Sequence, residues 1–218
     1  MEAILEKLLQ SPKLALYVEQ LEARLADERQ HRLAFYDFVH ENMKAEFING
    51  EVVVHSPVMK RHNNATGLLY QLIKVYVAIH EAGFVGIEKL MISLTRNDYE
   101  PDICFFAKEI ASQFTEDQKL FPAPDWIVEV LSKSTVKTDR GVKFQDYEAH
   151  GVKEYWIVSP QNQYIEQYVL EGDKYNLVLK SNNGTIQSHV LPGFSILVNA
   201  AFDEKTNLQA LTTLLSKQ

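Results

Sequence analysis

The chain has 218 residues, 46% of them hydrophobic, which is enough for one sizeable core and too few for two ordinary domains. Its formal net charge of −7 excludes non-specific binding to nucleic acid through a positive field of the whole protein, so any surface for nucleic acid must be local. The single cysteine, Cys104, excludes an intramolecular disulfide, and its apolar neighbours predict a buried, unreactive thiol. The single thiol fits a reducing cytoplasm. Since no segment approaches about 18 consecutive apolar residues, we also expect a soluble protein with no membrane partner.

An N-terminal helix is predicted over residues 11–39, with Ser11 as its N-cap and Pro12 at its first position. Apolar residues recur along it at near-heptad spacing, among them Leu14, Val18, Leu21 and Leu25. Such a narrow stripe favours a homodimer formed through this helix, although the helix could also pack on its own domain. We therefore expect three parts: a helical extension at residues 1–39, a central domain at 40–200 and a C-terminal helix within 201–218.

The central segment predicts alternating strands and helices. Asn49-Gly50 marks a two-residue hairpin turn between strands at residues 44–48 and 51–55. A helix is expected at 62–81, followed by strands at 84–95, 101–106 and 125–131, and a second helix at 136–150. Short strands should follow at 154–158, 164–170, 175–180, 184–190 and 195–198, with a last helix at 208–215. This order predicts an α/β fold with a mixed sheet flanked by helices.

A carboxylate inside the most apolar strand is the strongest indication of chemistry. Glu129 stands in the middle of Trp126-Ile127-Val128-Glu129-Val130-Leu131, a run that should be buried on both faces. An ionised carboxylate there costs several kcal/mol unless a cation or hydrogen-bond donors compensate it. The sequence leaves open whether that compensation is a structural ion pair or a catalytic metal.

Asp102 opens the preceding apolar strand and would lie close to Glu129 if the two strands pair. Two carboxylates in contact need a divalent cation or a shared proton, and oxygen ligands of this kind suit Mg²⁺ or Mn²⁺. Asp139, Lys143 and Tyr147 follow at helical spacing and share one face, so Lys143 could reach the acids. An ordinary helix pair between Asp139 and Lys143 is the simpler interpretation.

Two short basic stretches could contact nucleic acid. Lys60-Arg61-His62 is one, and the other contains Lys133, Lys137, Arg140 and Lys143. Either stretch could equally be an ordinary solvated loop or helix face.

Several motifs follow one another in a fixed order between residues 36 and 198. These are Glu46-Phe47-Ile48-Asn49-Gly50-Glu51, Ser56-Pro57, His62, Pro101-Asp102, the segment Asp125 to Thr135 around Glu129, then Asp139, Gly141, Lys143 and Tyr147, and the segment Gly151 to Val158. Together they resemble the Uma-two family, a group of restriction endonucleases in the PD-(D/E)XK nuclease superfamily.

The resemblance implies a restriction-endonuclease-like core and a set of site residues. Asp102 corresponds to the Pro-Asp acid and Glu129 to the second acid, both as catalytic residues and metal ligands. The superfamily's usual lysine position holds Leu131 here, and similar relatives supply the lysine from the following helix, which implies Lys143. Glu46 and His62 correspond to supporting residues.

Three functions are compared. The first is a Mg²⁺- or Mn²⁺-dependent endonuclease acting on nucleic acid, with DNA as the expected partner. The second is a catalytically silent module with a nuclease fold that assembles through its N-terminal helix, which the net acidity and the departure at Leu131 favour. The third is a two-carboxylate glycosidase, for which the sequence offers no aromatic sugar platform.

Overall fold

The structure, a computed structural model, describes residues 2–40 and 42–216. The described chain divides into two compact units, and the division falls between His55 and Ser56. The domain boundaries predicted at residues 39 and 200 remain predictions. None of the described helices combines the length and apolar character needed to cross a membrane.

The first unit contains two helices and a hairpin: α1 (Glu2–Leu9), α2 (Leu14–Phe38), β1 (Ala45–Ile48) and β2 (Glu51–Val54). The hairpin is antiparallel, and Asn49 and Gly50 both adopt positive φ in its turn, as their sequence predicts. Helix α2 begins at Leu14, two residues later than predicted, and the Ser11 hydroxyl accepts a hydrogen bond from the Lys13 N–H in the turn before it. Helix α1 lies within the helical extension expected at residues 1–39, although no separate bounds were predicted for it.

The second unit is built on a six-stranded mixed sheet. Its strands, in chain order, are β3 (Gly83–Ile87), β6 (Ile103–Ala107), β8 (Trp126–Val130), β9 (Glu154–Ser159), β10 (Tyr164–Glu171) and β11 (Lys174–Ser181). The spatial order is β11-β10-β9-β8-β6-β3, and the pair β8 and β9 is parallel whereas the other neighbours run antiparallel. The mixed α/β class predicted from the sequence is confirmed.

Smaller strands and the helices complete the second unit. The strands are β4 (Met91–Ser93), β5 (Asp98–Tyr99), β7 (Leu120–Phe121), β12 (Thr185–Gln187) and β13 (Ser195–Leu197). The helices are α3 (Lys60–His80), α4 (Lys108–Ala111), α5 (Val136–Asp139), α6 (Val142–Ala149), a 3₁₀ turn (Val198–Ala201) and α7 (Glu204–Leu215). Strand β4 pairs with β5 and with β7, and β12 pairs with β13.

Alternate residues of β8 face two different layers. Trp126, Val128 and Val130 join a hydrophobic core with the buried face of α3 and the apolar residues of α7. On the opposite face, Glu129 receives a hydrogen bond from Tyr147 of α6. All five residues of β8 are buried, as the apolar run predicts.

The single helix predicted at residues 136–150 is wrong in one respect, because it is broken between Asp139 and Val142 into α5 and α6. Gly141 has φ of −115° and ψ of −100° at the break, and a Cβ atom there would lie only 2.6 Å from the carbonyl oxygen of Lys137. The break therefore depends on the missing side chain of Gly141.

Candidate active site

Three carboxylates lie in one row across the ends of neighbouring strands. The registers Ile87↔Ile103 and Ile103↔Val128 align β3, β6 and β8. One step further along the three strands, the corresponding positions are Glu88, Asp102 and Glu129. The Glu88 N–H donates to the Asp102 carbonyl over 3.0 Å, which continues the pairing to this row. The pairing of the two strands on which the sequence prediction depended is therefore present, and it places Asp102 and Glu129 at opposite positions.

His62 brings the start of α3 to the same row. Its Nε2 atom lies 3.2 Å from Oδ2 of Asp102, and the Val130 N–H donates to that same oxygen over 2.8 Å. His62 and Asp102 are both buried, with relative exposures of 5% and 4%. The Asp102 carboxylate is therefore oriented by one helix and by the adjacent strand.

His62, Glu88 and Asp102 form a group that could hold a metal ion. One ligand atom from each lies within 4.8 Å of the other two. Two carboxylate oxygens with one imidazole nitrogen suit a divalent cation, and the imidazole favours Mn²⁺ over Mg²⁺ because Mg²⁺ prefers a shell of oxygen ligands. The donor set fits a metal-dependent enzyme.

Sequence reasoning missed Glu88. The predicted strand at residues 84–95 placed it in mid-strand, whereas β3 ends at Ile87 and Glu88 adopts a positive φ of 62°. Non-glycine residues rarely adopt this conformation, which is found more often at functional sites than elsewhere. Only the register between β3 and β6 relates Glu88 to Asp102, and no short motif carries that information.

Glu129 is compensated by two donors from α6. Lys143 Nζ lies 2.9 Å from Glu129 Oε1, and the Tyr147 hydroxyl donates to the same oxygen over 3.0 Å. Lys143 Nζ also lies 3.6 Å from Oδ1 of Asp139. All four of these residues are buried. As the helical spacing predicted, Lys143 contacts acids, and these are Glu129 and Asp139. The contact with Asp139 spans the break between α5 and α6.

An aromatic layer covers the Lys143 ammonium. Its Nζ lies 5.7 Å from the centroid of the Tyr99 ring, and Tyr99 packs edge-on against Tyr147 with ring centroids 5.3 Å apart. The Tyr99 hydroxyl donates to Oδ2 of Asp146 over 2.8 Å. Tyr99 is therefore fixed at both ends, which limits the positions that Lys143 can occupy.

The carboxylates create a negative field on this face of the sheet. Burial raises the pKa of the Cys104 thiol to about 12, with a further rise from the charge of Glu129. Burial also raises the pKa of Tyr155 well above its ordinary value, and the charges of Glu129, Asp139 and Asp102 add to that rise. The thiol of Cys104 is therefore protonated and buried, in agreement with the sequence prediction.

Glu46, the remaining predicted site residue, lies in the first unit. It is on β1, where its Oε2 atom lies 2.9 Å from Nε2 of His55. The supporting role of Glu46 stays a prediction, as do the catalytic roles of the other predicted residues.

The whole segment that carries these residues matches a known family. The Uma2 (Uma-two) family model, described as "Putative restriction endonuclease", matches residues 27–200, which is more than half of the chain. The chain belongs to the Uma-two family. Membership indicates a nuclease, and therefore a hydrolase, as the class of this protein, and it confirms the resemblance found in the sequence motifs.

The chain is also similar to one curated protein and to one solved structure. The Uma-two chain is 28% identical over 149 residues to "Uncharacterized protein sll1609" of Synechocystis sp., a match that covers 66% of this chain and 83% of that protein. It also resembles the crystal structure of a putative nuclease belonging to DUF820 from Anabaena variabilis, with a TM-score of 0.67 at 17% identity. That match covers 77% of this chain and 94% of the other. The structural likeness confirms the restriction-endonuclease-like fold.

Proposed function

We propose that this Uma-two protein is a divalent-metal-dependent endonuclease that hydrolyses phosphodiester bonds in DNA. The observation that carries the proposal is the convergence of ligand atoms from His62, Glu88 and Asp102 within 4.8 Å, one strand from the buried pair of Glu129 and Lys143. This arrangement brings acids, a histidine and a lysine together near the ends of paired strands. It is suited to phosphoryl chemistry.

The sequence motifs and the distances both point to Asp102 as a metal ligand. The sequence motifs pair it with Glu129, whereas the distances group it with His62 and Glu88. The ion would be Mn²⁺ or Mg²⁺. When bound, such an ion lowers the pKa of a coordinated water and neutralises charge on phosphate oxygens.

Lys143 supplies the positive charge of the site, beside Glu129. Its ammonium is held by Glu129 and covered by the Tyr99 ring, so it presents charge in a site shielded from water. Charge that develops on the phosphate in the transition state is stabilised most by groups that are already fixed in this way. Tyr147 fixes the orientation of Glu129 through its hydroxyl hydrogen bond.

Cleavage of supercoiled plasmid DNA tests the proposal. Purified protein should nick or linearise the plasmid with Mn²⁺ or Mg²⁺ and not with EDTA, and Asp102→Asn and Glu129→Gln should each lose the activity. Glu109→Gln, an exposed acid on α4, is the matched control and should cleave like the wild type. Cleavage that persists in both site variants would refute the proposal.

A Mn²⁺ titration beside the cleavage assay separates the nuclease from the silent assembly module. A module without catalysis has no need to hold a metal, so the absence of both Mn²⁺ binding and cleavage would favour that alternative.

A homodimer through α2 is part of the proposal. Val18, Leu21 and Leu25 continue the heptad spacing from Leu14 and are 44%, 57% and 44% exposed, which leaves an apolar stripe on the first half of the helix. Replacing all three with Gln should convert a dimer to a monomer in sedimentation experiments at micromolar concentration. A wild-type protein that sediments as a monomer would refute the dimer and leave the nuclease proposal intact.

A further inference from the structure

Two basic segments begin at the two groups that contact Asp102. Lys60 and Arg61 directly precede His62 in the first turn of α3, and Lys133 follows Val130 by three residues at the end of β8. The His62 imidazole and the Val130 N–H both reach Oδ2 of Asp102, over 3.2 Å and 2.8 Å. Each segment is therefore next in the chain to a group that contacts the same carboxylate oxygen of Asp102.

The cations of these segments are exposed and make no ion pair with the described residues. This holds for Lys60, Arg61, Lys133 and Lys137. Six other basic residues of the second unit instead bond to acids: Lys108 to Glu81, Arg140 to Glu166, Lys143 to Glu129, Lys153 to Asp125, Lys174 to Glu148 and Lys180 to Glu166. The four exposed cations of the two segments are therefore available to a ligand, and their segments adjoin the site of an otherwise acidic chain.

Hydrogen bonds hold the backbone that carries these cations. Ser132 and Thr135 exchange hydrogen bonds between their hydroxyl oxygens and backbone N–H groups, over 3.2 Å and 3.1 Å, which fixes the turn that carries Lys133. The first turn of α3 contains no acidic residue, so the positive end of the helix adds to the charge of Lys60 and Arg61. Both segments therefore present cations from fixed positions.

We propose that Lys60 and Arg61 bind backbone phosphates on one side of the scissile phosphodiester, and that Lys133 and Lys137 bind them on the other side. This inference rests on the proposed nuclease function and names the residues that hold its substrate. A nucleic-acid strand is the ligand that fits, because it carries negative charge on both sides of the phosphate that enters the acidic centre. Contacts of this kind position the strand without reading its sequence.

Fluorescence anisotropy with a labelled DNA duplex of 20 base pairs tests the inference, with Ca²⁺ in place of Mn²⁺ so that binding is measured without turnover. The variants are Lys60→Gln/Arg61→Gln and Lys133→Gln/Lys137→Gln. The matched control is Lys119→Gln/Lys205→Gln, which also removes two exposed cations that make no ion pair with the described residues. All three double variants have the same net charge.

Each site variant should raise the Kd about tenfold at 0.1 M salt and reduce the slope of log K against log salt by up to about 2, since each lost phosphate contact accounts for roughly 0.9. The control should change the Kd less than about twofold. Two duplexes of unrelated sequence should give the same result.

The outcomes separate the two proposals. If the wild type binds and cleaves DNA while the site variants match the control, the phosphate contacts are wrong and the nuclease function stands. If the wild type neither binds nor cleaves any DNA, both proposals fail.

Discussion

The Nε2 atom of His62 and the N–H of Val130 meet at one oxygen, Oδ2 of Asp102, at 3.2 Å and 2.8 Å. This contact links the start of a core helix to the end of the central strand through a buried carboxylate. The group with Glu88 lies at the same point. The position of Asp102 is therefore set by the core of the fold, and so a metal bound there would be held by rigid elements.

The identity of the metal ligands is the first prediction. Calorimetric titration of Mn²⁺ should show that Glu88→Gln weakens binding about tenfold or more, because Glu88 supplies one of the three converging ligand atoms. Asp102→Asn should weaken it at least as much, and Glu109→Gln should bind like the wild type.

Glu129→Gln distinguishes the two ligand sets. If the metal is held by His62, Glu88 and Asp102 alone, this variant keeps most of its affinity, since Glu129 is engaged by Lys143 and Tyr147. Affinity that survives in Glu88→Gln but is lost in Glu129→Gln would instead support the pair indicated by the sequence motifs.

The buried ion pair of Lys143 and Glu129 is the second prediction. Lys143→Met should lower the free energy of unfolding by about 3 to 5 kcal/mol, because it leaves Glu129 and Asp139 without their buried cation. Urea denaturation measures this change. Lys108→Met is the control, since it removes an exposed pair with Glu81 and should cost less than about 1 kcal/mol.

A second substitution tests the cause of that loss. Adding Glu129→Gln to Lys143→Met should recover part of the lost stability, because the uncompensated charge is then removed. A double variant that is less stable than Lys143→Met alone would show that packing, and not charge, dominates.

Gly141 is the subject of the third prediction. Gly141→Ala should destabilise the protein and lower cleavage, because the new Cβ atom would meet the Lys137 carbonyl oxygen at 2.6 Å and shift the start of α6, which carries Lys143. Gly67→Ala is the matched control in α3, where nothing lies within 4 Å of the added Cβ. That variant should gain about 0.5 to 1 kcal/mol in urea denaturation. Equal effects of the two substitutions would contradict this role of Gly141.

Local sequence patterns were sufficient for most elements of the fold. The Asn49-Gly50 turn, the buried strand around Glu129 and the helix ending before Gly83 each have a physical signature within a few residues, and the structure confirms them. The break at Gly141 has no such signature, because glycine within a helical pattern is usually tolerated. Its cause is a close approach of the backbone that only the folded chain creates.

The site was predictable in part for a related reason. Asp102 and Glu129 are unusual where they stand, since each is an acid at or inside an apolar strand, and Lys143 follows at helical spacing. Glu88 is unremarkable in the sequence and reaches the site through strand register, which involves residues distant in the chain. Tyr99 likewise lies over Lys143 because the fold brings together residues that are distant in the chain.

The fourth prediction concerns the ion pair that anchors the junction of α5 and α6. Glu166 on β10 accepts a hydrogen bond from Arg140 over 2.6 Å and pairs with Lys180 at 2.8 Å. Burial raises the pKa of Glu166, but the bonds from Arg140 and Lys180 outweigh that effect and hold the pKa below its ordinary value of 4.5. Because the pKa is lower in the folded state than in the unfolded state, the ionised carboxylate stabilises the fold at pH values above the unfolded pKa of 4.5, and this stabilisation is lost as the pH falls through the folded pKa.

Urea denaturation of the wild type and Glu166→Gln across pH 3 to 7 measures this contribution. The difference between the two proteins should be constant from pH 7 down to about 5 and should shrink as the pH falls below 4.5 and through the folded pKa, because Glu166 then takes up a proton in both states. In an Arg140→Met background the difference at pH 7 should be smaller, since the shortest hydrogen bond to Glu166 is absent. A difference that grows as the pH falls would have the wrong sign for a carboxylate stabilised by these cations.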